Sequence, residues 1–170
     1  KVNIPIFIKE EIKVEIEKIN PYSEIEIIDK TFYLGDFYIE VINASHDVPA
    51  FGFILNDEKS SLLYLTDTGY INRKYYELCR NKSIYVIESN HDEKMLMEGK
   101  YPYILKQRVI SDKGHLSNRT TGKFLSKVIG NDTKYVILAH LSEHNNLPEL
   151  ALQQVREELI DNNVNINNHY

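Results

Sequence analysis

Three short runs rich in β-branched and aromatic residues each stop at a side chain able to hold a metal ion. Tyr38 to Ser45 leads to His46, Leu62 to Thr66 leads to Asp67, and Tyr135 to Ala139 leads to His140. Runs this short and this apolar read as strands rather than helices. If the three strands share a sheet, they deliver two imidazoles and a carboxylate to strand ends, where small or turn residues follow. Rigid ligands at an open mouth are what a Zn²⁺ or Mn²⁺ site needs. Taken singly, a His or Asp at a strand end is more often a turn or capping residue than a ligand, and spacing alone is not a strong metal signature.

The remaining periodicity fills in an α/β chain. Val2–Ile8 reads as a strand interrupted by Pro5, and Glu10–Ile19 follows with Ile12, Ile16 and Ile19 at helical spacing. Ile25–Ile28, Thr31–Leu34, Phe37–Asn43, Ala50–Leu55 and Ser61–Leu65 are short strands separated by turns such as Leu34-Gly35-Asp36. After Asp67 the pattern changes. Helices are expected at Asn72–Arg80, Glu93–Gly99, Ser117–Ile129 and from Pro148 through Ile160, with strands at Ser83–Glu88 and Tyr135–Ala139. The Asn-rich end, Asp161–Tyr170, reads as a last strand with a frayed terminus. No repeat or linker divides the chain, which points to one domain over residues 1–170.

A formal charge of −5 argues against coating nucleic acid through a broad basic surface, but leaves room for a small basic groove. The single cysteine, Cys79, excludes an internal disulfide framework, and no signal-like or membrane-length apolar run occurs. A reducing cytoplasm, with no membrane partner, is the simplest setting. The chain opens at Lys1 directly on a strand-like run, as a piece of a longer fold would.

The segments around the strand ends resemble those of metallo-β-lactamase-fold hydrolases. Ser45-His46-Asp47-Val48-Pro49-Ala50-Phe51-Gly52-Phe53 and Thr66-Asp67-Thr68-Gly69 are similar to the tRNA 3′-processing nucleases. Ile87-Glu88-Ser89-Asn90-His91-Asp92, Lys106 through Asn118, and Leu138-Ala139-His140-Leu141-Ser142-Glu143-His144-Asn145-Asn146 narrow the likeness to the bacterial YycJ-type, or WalJ-type, nuclease branch.

That resemblance implies a four-layer αββα sandwich, of which this chain supplies the second half. It implies two divalent ions, Zn²⁺ or Mn²⁺, with His46 and His140 as ligands and Asp67 bridging, and nucleic acid, DNA or RNA, as substrate. His115 matches a position that can donate a proton, and His91 is expected in the active site, with a structural role as its alternative. Ser117 and Asn118 at a helix start, with Lys106 and Arg108 beside Tyr101 and Tyr103, are candidates for substrate binding. For the two cations a solvated loop is the competing reading.

One departure matters. Superfamily members carry a His-x-His-x-Asp-His cluster ahead of this region, and no such cluster occurs in the sequence. The expectation is a single incomplete domain lacking its N-terminal sheet, weak in metal binding and inactive alone, whose exposed sheet invites the missing half or a second copy. A degenerate binding or assembly module without chemistry is the alternative class.

Overall fold

The computed structural model describes residues 4–19 and 24–164. In chain order the elements are β1 (Ile6–Ile8), α1 (Lys13–Ile19), β2 (Ile25–Ile27), β3 (Thr31–Leu34), β4 (Phe37–Asn43), β5 (Phe51–Asn56), β6 (Ser61–Leu65) and α2 (Tyr76–Cys79). They continue with β7 (Ile84–Glu88), α3 (Glu93–Glu98), α4 (Tyr103–Ile110), α5 (Asn118–Val128), β8 (Tyr135–Ala139) and α6 (Pro148–Asp161). Short 3₁₀ turns at Glu10–Ile12 and Arg73–Tyr75 lead into α1 and α2.

Strands β3 to β8 form one sheet in sequence order. The first four are an antiparallel meander; β7 and β8 add in parallel, each after a helical crossover. The change of direction follows from connection length. Tight turns can join only antiparallel neighbours, whereas the long helical segments after β6 and β7 carry the chain back to the same starting edge. Consequently β4, β6, β7 and β8 all run the same way and finish at one edge.

The register sorts the side chains. Ile42, Gly52, Ile54, Leu63, Leu65, Tyr85, Ile87, Val136 and Leu138 share the face that packs against Phe124, Leu125, Val128, Val155 and Leu159 of α5 and α6. The other face is also apolar. Val41, Phe53, Tyr64, Val86 and Ile137 stand opposite one another as a row across five strands. Near β3 to β5 the small parallel β1–β2 pair leans on this second face, with Phe7 stacked on Phe32 and Lys9 over Phe51. Toward β8 it is open: Tyr64 is 43% exposed and Ile137 51%.

Most expected elements sit within a residue or two of the sequence reading, but the strand expected at Val2–Ile8 begins at Ile6, with Val2 outside the described residues, the helix expected at Asn72–Arg80 is a 3₁₀ turn through Tyr75 and α-helical only from Tyr76, and three further segments differ. The helix expected at Glu10–Ile19 begins as a 3₁₀ turn and becomes α-helical at Lys13. Helix α4 was not expected at all, because it buries no residue and leaves Tyr103 and Ile104 mostly exposed, so it shows no apolar stripe. The end of the chain, expected as a strand, begins as the last turn of α6, and residues 165–170 lie outside the described ones. No helix among the described residues is long and apolar enough to cross a membrane.

Candidate metal centre

The C-terminal edge of the parallel strands gathers the titratable groups. Asp67 lies just past β6, Glu88 is the last residue of β7, His140 follows β8, and His46 lies in the loop after β4. Asp67 and His140 both adopt left-handed backbone, with φ of 54° and 55°. A non-glycine residue in that region carries about 1–3 kcal/mol of strain, tolerated where the surroundings over-determine it. Here the turn ends each strand abruptly and leaves the side chain at the sheet edge.

Backbone contacts that only glycine allows bring the loops together. A Cβ on Gly69 would collide with the Ser111 carbonyl oxygen, and one on Gly114 would collide with those of Arg108 and Val109. The turn after Asp67 therefore presses against the loop ahead of His115. Thr68, 1% exposed, fastens it: its backbone N–H donates to Glu88 Oε2 (2.9 Å), and its hydroxyl accepts from the Ser45 N–H and donates to the Tyr70 carbonyl.

At the centre lies a carboxylate to which the sequence reading gave no role. Glu88 is fully buried, and its Oε1 receives His115 Nδ1 at 2.6 Å and His140 Nδ1 at 3.1 Å. Burial acts to raise its carboxyl, but the bonds from His115, His140 and the Thr68 amide outweigh it and hold Glu88 below its ordinary value. The hydrogen bond that His140 donates to Glu88 raises the His140 imidazole, against the opposing effect of burial. When each Nδ1–H donates to Glu88, the two Nε2 atoms carry the free lone pairs, which is how an outer carboxylate prepares imidazoles for a metal.

The remaining distances close the cluster. His140 Nε2 is 3.6 Å from Asp67 Oδ1, and the His115 ring lies 5.1 Å from that of His46 and 5.2 Å from that of His140. Two overlapping triads, His46 with Asp67 and His115, and Glu88 with His115 and His140, each have donor atoms within 4.8 Å of one another. Imidazole and carboxylate in this proportion suit Zn²⁺ or Mn²⁺. His46, Asp67, His115 and His140 were all singled out from sequence, and the fold brings all four together. The grouping puts His115 in the middle, where the sequence reading set it beside the ligands.

Other candidates lie elsewhere. His91 is 1% exposed, its Nδ1 has no hydrogen-bond partner among the described residues, and burial pushes it down to about 4. Its backbone bridges Ser117 between β7 and the start of α5. A ring so enclosed fits the structural role that was the alternative expectation for His91. Ser117 caps α5 by accepting from the Thr120 N–H and donates to Glu93, while Asn118 is fully buried among Ser89, Asn146 and Gln154. Their polar atoms are taken up in these bonds, which hold the loop after β7 to α5 and α6. Lys106 donates to the Met97 carbonyl (2.6 Å), and Arg108 pairs with Asp47, the neighbour of His46. These two cations stand on helix α4, where the alternative expectation was a solvated loop.

A six-stranded sheet with helices on one face and histidines and carboxylates at one edge defines a class, and similarity to known proteins names it. The family model for the beta-lactamase superfamily domain matches residues 1–141, and the chain belongs to that superfamily, with the metallo-β-lactamase fold. Its branch is the WalJ/YycJ one. The chain is 44% identical over 124 residues to "Exodeoxyribonuclease WalJ" of Streptococcus pneumoniae, covering 72% of this chain and 46% of that protein. It is 39% identical over 132 residues to "Exodeoxyribonuclease YycJ" of Bacillus anthracis, covering 76% of this chain and 49% of the relative. The chain thus spans about half the length of these relatives. Among solved structures, the metallo-beta-lactamase fold protein YhfI from Bacillus subtilis superposes with a TM-score of 0.68 at 17% identity, over 92% of this chain and 59% of that one. That likeness concerns the fold.

Proposed function

We propose that this chain carries the C-terminal portion of a two-metal phosphodiesterase, an exonuclease acting on DNA, whose site is completed by donors outside these 170 residues. The observation that supports the reading is the convergence of His46, Asp67, His115 and His140 around the buried Glu88. The relatives' names supply the substrate class.

In this reading His46, Asp67 and His140 would hold the ions. Two divalent ions, when bound, acidify an attacking water and neutralise charge on the phosphate. Glu88 fixes the tautomer and angle of both His115 and His140. With Nδ1–H held by Glu88, His115 presents Nε2, and the ring protonated on both nitrogens would give its Nε2 proton to the departing oxygen. The donors present are too few for two ions, each of which takes four or more ligands in a tight site. The isolated chain therefore binds metal weakly and turns over nothing measurable.

The experiment joins a superfamily segment bearing His-x-His-x-Asp-His ahead of Lys1. Metal-dependent release of nucleotides from a DNA end is expected from the fusion and not from the 170-residue chain. In the fusion His115→Ala retains its metal and loses about 10²-fold or more in turnover, the scale of a lost proton donor. Loss of metal with His115→Ala, at unchanged fold, overturns the role given to His115.

A further inference from the structure

A groove of about 800 Å³ lies between the segment after β6 and helix α5, and none of the metal-capable residues lines it. Its walls carry Arg73 and Arg80 on one side and Lys123 and Lys127, one helical turn apart on α5, on the other; Glu77 is its one acid. Four cations to one carboxylate is a sharp local reversal in a chain of formal charge −5. Arg80 is paired with Glu77 at 2.7 Å and Lys127 donates to Asn162. Among the described residues no carboxylate lies within ion-pair distance of Arg73 or Lys123, both exposed.

Aromatic rings line the same groove. Tyr70 is 45% exposed, and its backbone carbonyl is held by the Thr68 hydroxyl. Tyr76 lies edge-on to Phe124 at 5.2 Å, which fixes its ring against the α5 wall. Two lining residues connect the groove to the candidate centre through the chain itself. Tyr70 is three residues beyond Asp67, and Leu116 directly follows His115.

We propose that this groove is the track along which a single strand of nucleic acid runs into or out of the metal centre. Arg73 and Lys123 would hold successive phosphates, and Tyr70 would stack a base close to Asp67. Cations with no carboxylate partner among the described residues, beside the exposed Tyr70 ring, fit a charged backbone with unstacked bases, since every base offers a π face. The proposal rests on the nuclease reading for its substrate and adds where that substrate lies.

The test is fluorescence anisotropy of a labelled twelve-residue oligothymidylate with the full chain in EDTA, across a salt series. The chain is expected to bind with an affinity that falls as salt rises. Arg73→Gln with Lys123→Gln weakens binding about 10-fold and flattens the log–log salt slope by about 1.4, the change expected when two phosphates of a single strand are no longer neutralised. Tyr70→Ala weakens it by about 5-fold or more, the scale of one base left unstacked. Lys59→Glu, in the β5–β6 turn and outside the groove lining, leaves it unchanged. The Gln substitutions keep the side chains long and uncharged, and equal melting temperatures confirm the fold.

No binding by the wild-type chain, or binding indifferent to Arg73 and Lys123, overturns the groove. Equal affinity for an oligoglutamate of matched charge, with no effect of Tyr70→Ala, would make an acidic peptide the ligand and also overturn it. Failure of metal-dependent cleavage in the fusion removes the nuclease reading while leaving the oligonucleotide result intact, so the two failures are distinguishable.

Discussion

Glu88 and His91 lie three residues apart, both almost wholly buried, and illustrate opposite uses of an ionisable group. Glu88 is compensated by three donors and stays charged; His91 Nδ1 has no partner among the described residues, and the ring stays neutral. If Glu88 orients the ligand His140 as well as the proton donor His115, Glu88→Gln weakens Zn²⁺ binding by about 10–100-fold in competition with a chelator, the usual loss when such an outer carboxylate is removed. Unchanged affinity would reduce Glu88 to a structural role. For His91 the sign follows from its depressed value. Unfolded, the ring takes up a proton near pH 6.5; folded, it resists protonation until about 4, so stability falls as pH drops through that window. By about pH 4 the loss amounts to ~3 kcal/mol, from ~2.5 units at 1.36 kcal/mol each. Urea unfolding at several pH values should show this slope, and His91→Gln should flatten it.

At the scale of elements, the two loops that build the centre depend on glycine for different reasons than a turn does. Gly69 and Gly114 are needed because another backbone occupies the place of a Cβ, whereas Gly35, at φ 58°, has nothing within 4 Å and serves only its turn. Gly69→Ala should therefore cost about 3 kcal/mol or more, the upper range for overpacking, and Gly35→Ala about 1 kcal/mol, the cost of left-handed backbone. Thermal denaturation checks both, and equal losses would mean that the two loops are not in contact. The strand ends were legible because an apolar run broken by His or Asp marks both the end of a strand and a possible ligand. Glu88 followed the same rule at the end of β7, but a lone glutamate after Ile84–Ile87 reads as an ordinary strand terminus. The burial that makes it informative comes from α5 and the Thr68 turn, which lie far from it in sequence. Helix α4 was illegible for a simpler reason: with no buried face, its sequence has no period. Ser117 and Asn118 could be placed at a helix start, but only the fold reveals that Ser117 caps α5 and that Asn118 belongs to a buried amide network with Asn146 and Gln154.

For the whole molecule, the sheet is covered by α5 and α6 on one side and open toward β8 on the other, where Tyr64, Tyr135 and Ile137 remain exposed. An apolar face of that kind favours association. The isolated chain is expected to self-associate in sedimentation velocity, and Tyr64→Lys with Ile137→Lys to shift it toward monomer; a wild-type monomer at high concentration would contradict this. The account as a whole turns on one carboxylate. Asp67 stands at the end of β6 in strained backbone, 3.6 Å from His140, with its loop tied to Glu88 through Thr68. The most direct measurement is metal content and exonuclease activity of the His-x-His-x-Asp-His fusion with and without Asp67→Ala. The account predicts that the substitution lowers bound metal and abolishes release of nucleotides from DNA ends. Cleavage that persists undiminished without Asp67 would contradict it.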